Sequence, residues 1–172
     1  GFHWYLIAFG LALGSRLAIS VLAILFGWTT TFKLYNWTPL QYVIIAIFTI
    51  IGALMEELGW RGYVLPKILT RQSALSSALI IGIPWGILHL GLTFPGQMNA
   101  GTSWMSTILF ILGISVILTW LFVQTKYGIV AGIVFHAAQN FFVFLNGGMI
   151  AAGILWESWL LTAVTLVMAL IL

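Results

Sequence analysis

Six apolar runs, each near the roughly 20 residues that carry a helix across a bilayer core, take up most of this 172-residue chain. They cover residues 4–28, 40–59, 74–92, 104–124, 128–145 and 154–172. Short connections separate them, with turn-forming residues at 29–39, 70–73, Phe94-Pro95-Gly96 and Gly147-Gly148. In hydrocarbon, backbone N–H and C=O groups must be satisfied internally, which leaves helices and closed barrels as spanning structures. Runs of this length predict an all-α, polytopic transmembrane bundle of about six spans, forming one transmembrane domain over residues 1–172. Composition points the same way. Hydrophobic residues make up 62% of the chain and charged residues 5%, against about 25% charged in a soluble domain. So few charges cannot cover a soluble surface. Trp4, Tyr5, Trp28, Trp37, Trp104, Tyr127 and Trp156 fall near run ends, where interfacial aromatic belts form.

Several classes fall away at once. The net charge of +3 rests on few residues, so the expected partners are a lipid bilayer and no nucleic acid. The chain has no Cys, which removes disulfides, thiolate metal sites and cysteine nucleophiles together. The first apolar run is too long for a signal-peptide core and no small-residue cleavage site follows it. A start at Gly1 rather than Met leads us to expect a piece of a longer protein. With six spans, the connections after the second and fourth share one side and carry Lys67, Arg71 and Lys126, whereas the other side carries Lys33. Positive charge collects on the cytoplasmic side, so the first side is predicted to be cytoplasmic.

The scarce polar chemistry is concentrated. Two of the three acidic residues stand side by side in Glu56-Glu57-Leu58-Gly59-Trp60-Arg61, inside an apolar run. An ionisable group at membrane depth costs on the order of 2.5–3.5 kcal/mol on insertion scales, which makes it a functional-site hypothesis. Glu57 and Arg61 are four residues apart and can pair along one helix face. Glu56 points about 100° away from Glu57, so it is left to work, with Trp60 one turn on as a shield from water. Glu56 and His89 are equidistant from the 70–73 turn, which predicts that they face each other across a helical hairpin. Trp85, one turn before His89, is placed to pack on its ring. His136 and Asn140 share a face of the fifth run, and Ala131, Gly132, Ala137 and Ala138 let that helix approach its neighbours closely. A donor pair on such a helix suits an oxyanion. Gln124 and Gln139 draw no assignment. Arg16 sits mid-run and fits none of these pairings; snorkelling and a pairing with Glu157 are its two readings.

These elements resemble the three motifs of the CPBP family, the CAAX-prenyl-protease and bacteriocin-processing intramembrane proteases, also called the ABI family. EExxxR reads Glu56, Glu57 and Arg61. FxxxH reads Trp85 and His89, with Trp in place of Phe. HxxxN reads His136 and Asn140. The resemblance spans about residues 45–145, the expected protease core. It implies an intramembrane endopeptidase in a bacterial or archaeal plasma membrane, with its site toward the cytoplasmic side. Its substrate would be a peptide or protein, membrane-anchored or prenylated. It implies that Glu56 and His89 activate a water, that His136 and Asn140 stabilise the oxyanion, and that Glu57, Arg61 and Trp85 support the site, with no cofactor. Members of that family often have eight spans, which implies further sequence before Gly1.

Rival chemistries are weighed on the same residues. Zinc proteases of the HExxH type are excluded because that string is absent, and two-aspartate enzymes because the chain has no Asp. A rhomboid-like Gly113-x-Ser115 has nothing tying Ser115 to His136. A zinc enzyme with Glu56, His89 and His136 as a His₂Glu ligand set stays open. So does a non-enzymatic membrane protein, either an immunity or scaffold subunit or a transporter with a proton relay. A transporter of the repeat type would show paired interrupted helices in two related halves, which the sequence lacks.

Overall fold

Interrupted and closely packed helices organise the chain, with no strand among the described residues. The structure is a computed structural model. It describes residues 1–27, 36–97, 99–145 and 155–172, the last stretch with side chains from residue 158. The helices are α1 (His3–Leu25), α2 (Pro39–Gly59), α3 (Leu65–Leu69), α4 (Ala74–His89), α5 (Trp104–Gln124), α6 (Val130–Leu145) and α7 (Leu155–Ile171). A π-helical turn, Trp60–Val64, joins α2 to α3, so that Pro39–Leu69 forms one 31-residue helix. Four of the helical segments are long and apolar enough to cross a membrane: His3–Leu25, Pro39–Leu69, Ala74–Thr93 and Trp104–Gln124. The two C-terminal helices, expected as the fifth and sixth spans, are also apolar but shorter. The Gly147-Gly148 turn, Lys33 and most of the 29–39 connection lie outside the described residues.

Local sequence sets the helix ends. Thr38 caps α2: its hydroxyl accepts from the Gln41 amide, the Gln41 side chain accepts from the Thr38 N–H, and Pro39 opens the helix. Ser73 caps α4 by accepting from the Ser76 amide at 3.2 Å, which fixes the turn expected at 70–73. The wide turn before α3 has a similar local cause. Pro66 brings no N–H and its ring crowds the carbonyl four residues back. In this turn the preceding Leu65 N–H bonds to Trp60 O, five residues back.

Small residues bring the helices together. Gly82 and Gly86 fall on the face of α4 that meets α5. A Cβ at Gly82 would lie 2.9 Å from Leu112 Cδ2, and one at Gly86 would lie 3.3 Å from Ile108 Cα. Gly113 does the same between α5 and α7, where a Cβ would meet Thr165 Cγ2 at 2.8 Å. Such contacts matter in lipid, where hydrophobic exclusion gives helices no reason to associate and close van der Waals packing takes over. The outward faces stay apolar and exposed, as at Val43, Ile47, Ile51 and Met55 of α2. A core of Trp85, Ile111, Ile114, Leu118, Leu121 and Phe135 sits inside. α1 and α2 both pack on α6, whereas the short α3 packs on α4. The expected hairpin of the second and third runs is therefore tight near its turn and opens beyond it, leaving room between α2 and α4.

Candidate active site

Among the described residues Glu57 and Arg61 are the most deeply buried charged side chains, so they must be paired. Glu57 is 0% exposed and Arg61 1%. Arg61 Nη1 donates to Glu57 Oε1 at 3.2 Å, and Nη2 donates to Ser115 Oγ at 3.2 Å. Ser115 in turn donates to Ala78 O at 2.8 Å. The guanidinium also lies over the Trp85 ring, 4.6 Å from its centroid. Ser115, the residue of the rhomboid-like string, is thus a strut between α4, α5 and the π turn.

Glu57 has a second partner that spacing along one helix did not reveal. His136 Nδ1 lies 2.9 Å from Glu57 Oε1. Gly132, one turn earlier on α6, lies against the same carboxylate: a Cβ there would sit 3.5 Å from Glu57 Oε2 and 3.3 Å from Leu118 Cδ2. The ion-paired carboxylate only accepts, so His136 Nδ1 carries a proton and donates it. That leaves Nε2 as the ring's other polar atom. A neutral ring offers a lone pair there; only the imidazolium offers an N–H.

Trp85 links the rest. Its Nε1–H donates to Glu56 Oε2 at 2.7 Å. Its backbone carbonyl lies 2.9 Å from His89 Nδ1, so His89 Nδ1 is the donor and Nε2 holds the lone pair when the ring is neutral. The indole also meets the His89 and His136 rings edge-on, at centroid distances of 5.7 and 5.5 Å. The aromatic bonded to Glu56 is therefore Trp85. Trp60, expected to shield Glu56, packs both on the core that holds Trp85 and toward Leu65, Ile81 and Phe122.

All of this opens onto one cavity of about 240 Å³. Glu56, Trp85, His89, His136 and Asn140 line it. Glu57 and Arg61 stand behind its wall. Among the described residues no three His or Glu side chains gather closely enough to hold a metal ion. The cavity also takes in polar residues that sequence reasoning passed over or left without a role: Arg16, Asn99, Ser106, Gln139 and Ser158. Gln139 is tied to α1 by Ser15 Oγ, which lies 3.0 Å from Gln139 Oε1, and Ser106 meets Ser158 at 3.1 Å. The signal for Arg16, Ser106, Gln139 and Ser158 was available, since each is a polar residue inside an apolar run, whereas Asn99 lies in the connection between two runs. The expected alternative partner of Arg16, Glu157, has its side chain outside the described residues.

A sequence profile for the family described as "Type II CAAX prenyl endopeptidase Rce1-like" matches residues 36–142, more than half of the chain. The chain belongs to that family. The Rce1-like match takes in α2 to α5 and most of α6, and with them every motif residue above. A CAAX prenyl protease 2 from Methanococcus maripaludis is 28% identical over 107 residues, which is 58% of this chain and 40% of that protein. The match thus spans under half of the relative's length. Family and apolar helices together make this an integral membrane protein. α1 and α7, which bring Arg16 and Ser158 to the cavity, lie outside the Rce1-like match.

Proposed function

We propose that this chain is an intramembrane endopeptidase that hydrolyses a peptide bond with a water activated by Glu56 and His89, using no metal. The observation that carries the reading is that Glu56, His89, His136 and Asn140, from three different helices, line one cavity. Membership of a family described as CAAX prenyl endopeptidases supports it.

In this mechanism Glu56 Oε1 and His89 Nε2 accept the two hydrogens of one water, which aims an oxygen lone pair at the scissile carbonyl. Glu56 takes a proton as the water oxygen attacks carbon. The oxyanion that forms is held by Asn140 and by Nε2–H of a doubly protonated His136, whose Nδ1–H is held by the Glu57 carboxylate that Arg61 also pairs with. The protonated Glu56 then delivers its proton to the departing nitrogen as the C–N bond breaks, which returns the carboxylate. The zinc alternative assigns His136 Nε2 a lone pair, and so an incompatible role.

The cavity's apolar wall, with Phe48, Phe110, Ile111, Val143 and Phe144, suits a membrane-anchored or prenylated peptide. Residues 1–172 form a single transmembrane domain, with its protease core at about 45–145, in a bacterial or archaeal plasma membrane. The site opens toward the cytoplasmic side, marked by Lys67, Arg71 and Lys126. The 31-residue helix Pro39–Leu69 would be about 46 Å long, beyond a hydrocarbon core of about 30 Å. Its last turns can project on that side and bring Glu56 near the interface. The test is a cleavage assay in proteoliposomes with paired peptides, prenylated and not, read by mass spectrometry. Specific cleavage of the prenylated peptide is expected. Failure to cleave any membrane-anchored peptide would overturn the proposal.

A further inference from the structure

Trp85 touches Glu56, His89, Arg61 and His136. Its N–H bonds Glu56, its carbonyl bonds His89, its ring face carries Arg61, and its edges meet both imidazoles. It is also 1% exposed and fixed in the core. A glutamate carboxylate turns easily about its last torsion, where the energy wells are broad and roughly two-fold. Its two oxygens are equivalent unless something distinguishes them. Here the 2.7 Å bond from the indole N–H does so, since a hydrogen bond to an ionised carboxylate is among the stronger ones in proteins.

We infer that Trp85 is a positioning residue for hydrolysis: its indole N–H pins Oε2 of Glu56, so that Oε1 faces the attacking water. The inference rests on the reading of Glu56 as the base. It assigns Trp85 more than aromatic bulk. The backbone carbonyl of this same residue orients His89, so one residue sets the spacing of the two proton acceptors. A phenylalanine at this place, as in the FxxxH string, keeps the carbonyl anchor and a ring beside both histidines but has no donor for Glu56. The two anchors are therefore separable by substitution.

The experiment compares Trp85→Phe with a protein carrying benzothienylalanine at position 85, an indole isostere in which sulfur replaces the N–H. The isostere keeps the ring's volume and its face toward Arg61, so it reports on the donor even where Trp85→Phe folds poorly. Both are assayed for kcat and KM on a cleaved membrane-anchored peptide, beside Glu56→Gln. The expected result is a loss of about tenfold to a hundredfold in kcat, the scale of a small misplacement of a reacting group, with KM unchanged within about twofold. A folded isostere protein with wild-type kcat overturns the inference, as does a loss carried by KM alone. If Glu56→Gln itself cleaves at the wild-type rate, the assignment of the base fails. An inactive Glu56→Gln beside a fully active isostere sinks the role of Trp85 alone.

Discussion

Replacing Glu57 by glutamine isolates the buried charge network from the reacting atoms. The variant keeps the shape of the side chain and removes its charge, leaving Arg61 at 1% exposure without its carboxylate. Breaking a buried ion pair by removing one partner costs about 3–5 kcal/mol. Arg61 keeps its bond to Ser115 Oγ at 3.2 Å and its place over the Trp85 ring, so the lower end, about 3 kcal/mol, is expected. For a chain of this size that corresponds to a fall in Tm of roughly 6–12 °C. The assay is the fraction of purified protein that stays monodisperse in detergent after heating at a series of temperatures. Turnover should fall as well, because His136 loses the carboxylate that holds its Nδ1–H at 2.9 Å. Removing both partners in Glu57→Gln/Arg61→Met should recover part of the loss in stability, since the Arg61 guanidinium is then no longer stranded. A single variant that melts within about 2 °C of the wild type, or a double variant no better than the single, would refute the account of this network.

Three further outcomes follow from the geometry. Asn140→Ala should lose about 10²–10³ in kcat with little change in substrate binding, the effect typical of an oxyanion donor; steady-state kinetics check it, and a near-normal rate contradicts the role. Activity should persist in strong chelators and the purified protein should carry no stoichiometric zinc; chelator-sensitive turnover restored by added zinc would favour the His₂Glu alternative. Gly113→Val should destabilise the α5–α7 contact by about 1–3 kcal/mol, because even a Cβ there would meet Thr165 Cγ2 at 2.8 Å; unchanged thermal stability would show that the two helices do not pack as closely as described.

The parts of this site that were legible in the sequence are those where membrane depth makes a side chain conspicuous. Glu56, Glu57, His89 and His136 stand out as ionisable groups in apolar runs, and Glu57 with Arg61 follows from four-residue spacing alone. The bond from His136 to Glu57 joins residues 79 apart, and no periodicity within one helix reports it. The equal-height argument for Glu56 and His89 took α2 and α4 as a straight, packed pair. Both do reach one cavity, but the bond Glu56 makes is to Trp85, because α2 leans on α6 and a π turn intervenes before the hairpin closes. Trp85 was legible as an aromatic; its N–H became informative only with a carboxylate 2.7 Å away. Arg16, Gln139 and Ser158 come from helices, or faces of helices, whose place around the cavity depends on packing between α1, α6, α5 and α7.

The central claim is that Glu56 is the base, and one substitution tests it most directly. Glu56→Gln keeps an oxygen or an amide group beside Trp85 and strands no buried charge, so the protein should elute and melt as the wild type does. It should nevertheless fail to cleave a membrane-anchored peptide that the wild type cleaves, with a loss of at least about 10²-fold, the lower bound for a general base. A stable Glu56→Gln protein that turns over at a rate comparable to the wild type would contradict the account.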